Sequence, residues 1–397
     1  MLKSNIAWMK KNVPSDLKVW KGMIQDIDWS QVAAKTKLSL QRDKDRITAE
    51  FKEFAAMDTS AKIDWLMNGA RHLGYLYKKD AIAFARREWK GLKSVGYDFV
   101  GWLKIWGGML NMVMKDPMSI MLAVFEYHWF ASYLATPAVV DRSVFGRRGK
   151  LLQADFDMWV AITHWAEDLI ANLIMADAKI GGNQKINKRI IMFDEMTMAQ
   201  MMAGFPNLLG IPYQMIPVFM VSEMDQLTLI PYIDAIESYG LPSDTCPLPT
   251  AECGCAVKDE YPMCGQGFIA SSMPCDGSVM ATSFQDRRFS KFMPSYPLCM
   301  PVRYDDEDTT EMAAADMKDC IHWVEGLTGE TWNWDTYFAT MEKMNECTRL
   351  EMEKWEINKT HYPQLVGSSF ELFRKWNYEM DGGLFPEGLK TQRKICK

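Results

Sequence analysis

From about residue 185 onward, short apolar runs alternate with helix-like segments, and this alternation restricts the possible folds more than any other feature of the chain. Each apolar run is bounded by Pro, Gly or Ser. The four runs cover residues 188–193, 211–221, 267–272 and 298–304. Helix-like segments at 196–209 and 229–239 lie between them. Strands that alternate with helices indicate a parallel sheet, so we predict an α/β domain, with a Rossmann-like parallel sheet, over residues 186–330.

Two longer helices are predicted after the last apolar run. Asp308 and Thr309 start the first, and Gly326 and Gly329 end it. Its inward side is predicted to carry Met317, Cys320, Ile321 and Val324. The second begins at Asn333, and its apolar positions recur every three or four residues as in an amphipathic helix. These positions are Trp334, Phe338, Met341, Thr348, Met352 and Trp355. Residues 331–397 are predicted to be this long helix and a tail.

The first part of the chain, residues 1–185, is predicted to be a long all-helical region of five to seven helices. Its most apolar tract, residues 118–140, follows the helix-start signal Asp116-Pro117. The length of this tract is compatible with a membrane span, but Glu126 and His128 would both be costly in lipid. We therefore predict a buried helix or a helix that faces another subunit.

Charge and the N-terminal sequence exclude several classes of partner. The net charge of -6 is mild and no long basic run is present, which argues against nucleic acid binding. The N-terminus has no apolar stretch of signal-peptide length, so we predict a cytoplasmic protein. The 31 methionines, whose sulfur oxidises easily, are compatible with anaerobic metabolism.

Five of the nine cysteines fall between positions 246 and 275. They are Cys246, Cys253, Cys255, Cys264 and Cys275. Disulfides rarely persist in the cytoplasm, so clustered cysteines there indicate a metal or a redox centre. All five histidines lie outside this segment, which favours a centre bound by thiolates alone over a mixed Cys/His zinc site. An iron-sulfur cluster, a zinc ion and simple packing of the three middle cysteines remain as alternatives.

The placement of two of these cysteines favours a cluster. Cys275 follows a predicted buried strand and precedes a predicted helix capped by Asp276 or Ser278, so free N–H groups would face its sulfur. Cys246 lies in a segment, SDTCPLPT, that we interpret as a proline-rich loop. Because parallel sheets build their sites beyond the carboxyl ends of the strands, we expect both thiols to reach one crevice.

Two carboxylates follow the first apolar run at the same predicted edge of the sheet. Asp194 and Glu195 are therefore candidate catalytic residues, with a helix cap as the alternative role.

The order of the motifs resembles the 2-hydroxyacyl-CoA dehydratase family, which also includes benzoyl-CoA reductase. The resemblance covers roughly residues 186–397 and depends on several motifs in the same order. These are GFPNLLGIPYQMIPV, SYGLPSDTCPL, SSMPCDG, PLCMPVRYDD and TGETWNWDTYFATMEKMNE.

The resemblance implies a hydro-lyase that removes water from a 2-hydroxyacyl-CoA thioester through a ketyl radical. In that family three cysteines hold a [4Fe-4S] cluster, and Cys246 and Cys275 match two of them. The family pairs two homologous subunits, and an ATP-hydrolysing iron-sulfur activator protein supplies the electron. A benzoyl-CoA reductase-type subunit, or a non-catalytic iron-sulfur, zinc or electron-transfer subunit, is the alternative.

The chain departs from the family pattern at the third cysteine, which comes late in the family, after a second α/β domain that this sequence lacks. The sequence is then a fragment, or another chain completes the site, or a nearby cysteine substitutes. Cys255, and after it Cys253, are the predicted substitutes, whereas we interpret Cys396 as incidental because it lies two residues from the end.

Overall fold

The structure is a computed structural model, and the chain divides into two compact units, Met1–Ala171 and Asn172–Lys397. The predicted boundary between residues 185 and 186, and the separate segment 331–397, remain predictions. The structure describes residues 52, 55, 56, 58–60, 62, 63, 92–134, 150–193, 199–212, 221, 226–241, 245–272, 276–289, 291–299, 301, 306–361 and 393.

The described part of the first unit is helical, as predicted. Its helices are α1 (Leu92–Lys115), α2 (Pro117–Glu126), α3 (Phe130–Leu134) and α4 (Lys150–Ala176), the last of which crosses the boundary between the units. A buried aromatic group lies at α3 and just before it. It consists of Tyr127, Trp129, Phe130 and Tyr133, whose neighbouring rings have centroids 5.3–6.2 Å apart.

Helices α1 and α4 pack closely because α1 has glycines where they meet. A Cβ atom at Gly101 would collide with the Phe156 ring, and one at Gly108 would collide with His164 and Glu167. These contacts follow one another in the same order along both helices, so α1 and α4 run in the same direction.

Helix α2 begins where the sequence predicts. The Asp116 side chain caps it by accepting a hydrogen bond from the Ser119 N–H at 3.2 Å, and Pro117 occupies the first turn. The helix buries Ile120 and Leu122 and leaves Met121 and Phe125 exposed. Among the helices in the described part of the chain, none combines the length and the apolar character that crossing a membrane requires.

The described part of the second unit contains a parallel four-stranded sheet, which confirms the predicted α/β fold with a preceding helical region. Its strands are β1 (Ile190–Phe193), β2 (Leu209–Pro212), β3 (Gly267–Ser271) and β4 (Ser295–Leu298), in the order β2-β1-β3-β4. Strands β1 and β3 fall within the predicted runs.

The other two strands begin earlier than predicted. Strand β2 pairs Leu209 with Ile190, and β4 pairs Ser295 with Phe268. The sequence pattern missed β4 because Pro297 lies inside it, and proline is tolerated in a strand at the edge of a sheet. The segment predicted as a helix over 196–209 contains only the short helix α6 (Ala199–Met202), since Gly204 and Pro206 end it.

One face of the sheet forms a continuous apolar core. Ile191, Phe193 and Ile269 on the strands pack against α6 and against α10 (Glu307–Thr328). Helix α10 contributes Cys320, Ile321 and Val324, with Met317 at the margin, as the sequence predicts. The alternate strand residue Met192 lies within 4.0 Å of the Cys264 sulfur.

Four further helices complete the second unit in the described residues. They are α5 (Gln184–Asn187) before β1, then α7 (Ile230–Glu237), α8 (Pro247–Val257) and α9 (Asp276–Phe289) around β3. Ile236, Cys253 and Ala281 bring α7, α8 and α9 into one buried cluster.

Helix α8 corrects the interpretation of SDTCPLPT as a loop. Its prolines, Pro247 and Pro249, lie in the first turn, where a helical N–H has no partner within the helix. Proline therefore marks the start of a helix here.

The N-cap of α10 is Asp306, two residues before the predicted start at Asp308, whereas the next helix is capped at Asn333, as predicted. The Asp306 carboxylate accepts from Thr309 N–H at 2.6 Å at the start of α10, and Gly329 ends that helix with φ 75°. Helix α11 (Trp334–Asn358) begins with the Asn333 side chain accepting from Thr336 N–H at 2.9 Å.

Candidate functional site

The strand order creates a topological switch point beside β1. The chain passes from β1 to β2 on one side, and β3 later joins the other side of β1. In parallel α/β sheets the crevice at such a point, beyond the carboxyl ends of the strands, is where ligands bind. Here the two strands that flank the switch point end at Phe193 and Ser271.

Cys246 is the N-cap residue of α8. Its side chain is exposed and makes no capping hydrogen bond, while its carbonyl oxygen accepts from the Thr250 hydroxyl at 2.8 Å. The first N–H groups of a helix and its positive dipole end stabilise negative charge nearby. Cys246 therefore presents an accessible sulfur at an anion-favouring position.

The other end of α8 is fixed at the amino edge of the sheet. There Lys179, which precedes β1, forms an ion pair with Asp259 at 3.0 Å. Asp177 accepts a hydrogen bond from Met263 N–H at 2.7 Å, and Asn187 accepts one from Gly265 N–H at 2.6 Å. All these contacts lie just before the first residues of β1 and β3.

Helix α8 and strand β3 have similar lengths. Helix α8, with 11 residues, spans about 16 Å, and β3, with five residues, spans about 16 Å. The position of Cys246 at the carboxyl edge of the sheet stays a prediction.

Cys275 lies outside the described residues, as do Asp194 and Glu195, so their side-chain positions stay predictions. The structure describes the elements on either side of Cys275: β3 ends at Ser271 and α9 begins at Asp276. Asp194 directly follows the last residue of β1. All three residues therefore belong to connections that leave the carboxyl ends of β1 and β3.

Cys255 does not lie beside Cys246, and its predicted role as a substitute ligand stays a prediction. The two positions are nine residues apart in the sequence, with eight residues between them, which corresponds to about 13 Å along the axis of α8. The Cys255 thiol is fully buried and donates to the Glu260 carbonyl oxygen at 3.5 Å. It is a packed residue of the helix layer.

The other two middle cysteines are packed as well. Burial, and after it the charge of Glu252, raises the pKa of Cys253 to about 12. Burial and the charge of Asp177 raise the pKa of Cys264 well above its ordinary value. All three middle cysteines are buried, as the packing alternative expects.

Within the described ranges, no three His, Cys, Asp or Glu side chains come together in a way that would hold a metal ion. Cys246 fits a cluster ligand by exposure and position, and a complete set needs residues beyond those ranges. Sequence reasoning missed helix α8, although Pro247 at its start and Thr250 four residues after Cys246 were available as signals.

A separate cavity of about 220 Å³ lies between α6, α10 and the start of α11. Its walls are mostly apolar and aromatic, with Met317, Ile321 and Trp332 at the sheet side. Neither Cys246 nor Cys255, the site residues that the structure describes, lines it.

These features define an α/β protein with an exposed cysteine at the start of a helix in its sheet-containing unit. Residues 226–387 match the family model of the 2-hydroxyglutaryl-CoA dehydratase D-component. Over this segment the match confirms the predicted resemblance to the 2-hydroxyacyl-CoA dehydratase family. It includes Cys246 and Cys275, whereas β1, Asp194 and Glu195 precede it. No curated protein matches the chain.

Proposed function

We propose that this chain is the iron-sulfur subunit of a 2-hydroxyacyl-CoA dehydratase-like enzyme, a hydro-lyase that removes water from a 2-hydroxyacyl-CoA thioester. The observation that carries the proposal is the position of Cys246. This exposed thiol occupies the N-cap position of α8, within the segment that matches the dehydratase family.

Cys246 and Cys275 are the proposed ligands of a [4Fe-4S] cluster. The starts of α8 and α9 support this pair, because each cysteine directly precedes a helix and the two helices pack together through Cys253 and Ala281. A cluster between two helix N-termini would have its negative charge stabilised by both. The third ligand then comes from a residue outside the described ranges or from another chain.

The bound cluster would supply an open iron that acts as a Lewis acid towards the substrate oxygen. The chain's own task is to orient the thioester, exclude water and remove a proton. Asp194 and Glu195 are the proposed bases, because they follow β1 at the edge from which β3 leads to Cys275. One electron enters the thioester before water leaves and is returned afterwards, so the overall reaction is a redox-neutral elimination.

The proposed partners follow from this chemistry. The electron requires a low-potential donor, for which the family uses an ATP-hydrolysing iron-sulfur activator protein. A second homologous subunit would complete the active complex, and the substrate is an acyl-CoA thioester. An aromatic acyl group would instead indicate the benzoyl-CoA reductase type of reaction.

A non-catalytic role in the same complex is the second candidate. It is favoured by the observation that Cys246 has no second or third metal-binding side chain beside it in the described residues. In this role the chain would hold a zinc ion or a cluster for electron transfer, or would support a catalytic subunit without binding substrate.

The test is anaerobic purification of the full chain, with iron and sulfide measured together with the visible spectrum. We expect bound iron and sulfide in equal amounts, and a spectrum that changes when a 2-hydroxyacyl-CoA is added. Cys246→Ala and Cys275→Ala should each lose most of the iron. Cys299→Ala is the matched control, because Cys299 is exposed but lies after β4, and it should retain the iron.

Three outcomes separate the candidates. A cluster that responds to the acyl-CoA supports the dehydratase subunit. A cluster that does not respond, or a colourless zinc protein, supports the non-catalytic role. Protein that binds neither metal, or that keeps its iron in both the Cys246 and Cys275 variants, contradicts the proposed centre.

A further inference from the structure

Helix α11 carries its large apolar side chains on its exposed side. Trp334 is 49% exposed, Phe338 58%, Met352 64% and Trp355 56%. The side packed against the protein is more polar. It consists of Thr340, Met344, Cys347, Glu351 and Lys354.

The polar side includes a buried ion pair. Lys354 is fully buried and lies 2.5 Å from a Glu351 carboxylate oxygen. An amphipathic helix normally buries its apolar stripe, so the exposed apolar side of α11 is a candidate contact surface.

The exposed residues follow a heptad spacing. Starting at Trp334, positions along the exposed side are separated alternately by four and three residues, which is the spacing of the a and d positions of a coiled coil. We call this set the outer seam. It consists of Trp334, Phe338, Met341, Asn345, Thr348, Met352 and Trp355.

The outer seam is large enough to stabilise a dimer. A large apolar side chain offers about 200 Å², so its four half-exposed members present on the order of 400 Å² per copy. Two copies would bury about 800 Å² from these side chains alone. Flanking residues would bring the total to about 1,000 Å², the size above which interfaces are specific.

The outer seam is also self-complementary when two copies run in opposite directions. Its polar residues, Asn345 and Thr348, occupy the centre, and aromatic residues occupy both ends. If Asn345 faces Thr348 of the second copy, Phe338 meets Trp355 and Met341 meets Met352, and each of these layers forms twice. Trp334, at the outer end, then faces Lys359 of the second copy and lies at the margin of the paired region.

Charges beside the outer seam agree with this direction. Glu342 and Arg349 are exposed and directly follow the seam residues Met341 and Thr348. In this register both lie beside the space between the Met341–Met352 layer and the Asn345–Thr348 layer, so each Glu342 would meet Arg349 of the other copy. Asp335 and Glu356 of the other copy would also meet, and both are negative. Their repulsion is reduced because Glu356 already forms an ion pair with Lys359 at 2.5 Å.

We propose that the outer seam of α11 pairs with the outer seam of a second copy of this chain, in an antiparallel arrangement about a two-fold axis. A central asparagine in such a seam fixes register and partner number. This pairing explains why the apolar side of α11 is exposed in a single copy of the chain, because the dimer covers that side. The proposal is independent of the metal centre.

The first test is sedimentation velocity of the full chain over a range of concentrations. We expect a dimer that dissociates on dilution. The double variant Phe338→Lys, Met352→Lys should weaken association at least 100-fold. The matched control is Ala339→Lys with Glu353→Gln, which adds the same charge at exposed positions off the seam and should leave association unchanged. Circular dichroism checks that both variants keep their helices.

The second test reads the pairing itself. Glu342→Arg alone should weaken the dimer, and adding Arg349→Glu should restore it, because the exchanged charges meet again. Under mild oxidation the double variant Asn345→Cys, Thr348→Cys should form more covalent dimer than the unmodified chain. A covalent dimer from Asn345→Cys alone would overturn the antiparallel arrangement. A monomer at all concentrations, or equal association of the seam variant and its control, would overturn the proposal.

Discussion

Among the cysteines that the structure describes, access to solvent separates two groups. Cys246 and Cys299 are exposed, whereas the other five are buried. Burial and the charge of Asp316 raise the pKa of Cys320 to about 12, and burial raises that of Cys253 to a similar value. Since the thiolate is the reactive form, reactivity should follow this division.

We predict that iodoacetamide at pH 8 labels Cys246 and Cys299 first in iron-free folded protein. Cys253, Cys264 and Cys320 should be labelled at least ten times more slowly, because their thiols are buried and protonated. Mass spectrometry of digests taken over time gives the order. In urea all sites should react alike, and fast labelling of Cys264 without urea would contradict the described packing.

The first unit contains a buried carboxyl group beside a buried imidazole. Burial, and after it the charge of Asp168, raises the pKa of Glu167 well above its ordinary value, and neither of its oxygens has a hydrogen-bond partner. Burial lowers the pKa of His164 despite its contact with the Lys104 carbonyl at 2.8 Å. Burial therefore disfavours the charged form of both groups.

The two groups make stability depend on pH in opposite directions. A raised carboxyl pKa gives stability that is complete below the ordinary value and declines as pH rises towards the folded value. A lowered imidazole pKa gives stability that declines as pH falls through the ordinary value of about 6.5. Each unit of pKa difference corresponds to about 1.4 kcal/mol.

Glu167→Gln should remove the loss of stability that the Glu167 carboxyl causes as pH rises. We expect the variant to gain unfolding free energy relative to the unmodified chain between pH 5 and pH 9, by about 1 kcal/mol or more at the upper end. Urea unfolding at several pH values measures the difference. Glu353→Gln, at an exposed position of α11, should show none. A gain that does not depend on pH would contradict the buried charge as its cause.

At the scale of elements, helices α7 and α8 approach most closely at a glycine. A Cβ atom at Gly254 would collide with the backbone carbonyl of Tyr232. The neighbouring Tyr232 hydroxyl donates to Glu260 at 2.5 Å, and the Cys255 thiol donates to the carbonyl of the same residue. The backbone contact and the hydrogen bonds hold one fixed separation between the two helices.

Gly254→Ala should therefore destabilise the protein by about 1–3 kcal/mol, because the clash involves backbone that cannot rotate away. Gly326→Ala is the matched control: it also lies in a helix, and a Cβ atom there meets nothing within 4 Å. The control should be neutral or stabilising by up to about 1 kcal/mol. Thermal unfolding measures the stability of both variants. Equal losses of stability would show that helix propensity rather than packing governs the site.

The sequence could predict the elements that follow simple periodicity. Strands β1 and β3, the cap of α2, the inner side of α10 and the start of α11 all match the pattern. Helix α8 was missed because its prolines resemble a loop, and β4 was displaced because an edge strand tolerates Pro297. The outer seam of α11 shows the main limit, since periodicity identifies an apolar stripe but not what covers it.

At the scale of the whole molecule, the candidate centre joins separate parts of the second unit. Cys246 belongs to the start of α8 and Cys275 precedes α9, with β3 between them in sequence. The sequence predicted the helix start after Cys275, but it placed Cys246 in a loop. It could not predict that α8 separates Cys246 from Cys255, because that distance depends on the helix that proline concealed.

Because the proposed ligands come from different elements, binding a cluster should stabilise the unit as a whole. A ligand at 100 times its Kd adds about 2.7 kcal/mol, which corresponds to about 5–10 °C in Tm for a unit of this size. We predict this gain on anaerobic reconstitution, measured by scanning calorimetry. Cys246→Ser should abolish it and Cys299→Ser should retain it, whereas an equal gain in both variants would place the iron elsewhere.

The strand order has a further consequence during synthesis. Strand β1 pairs with β2 soon after both leave the ribosome, but its other edge is covered only when β3 emerges, more than 50 residues later. For that interval a strand with four buried apolar residues has unpaired N–H and carbonyl groups that other chains can bind. Slow translation between residues 212 and 267 should therefore favour aggregation of the nascent protein and increase its need for chaperones.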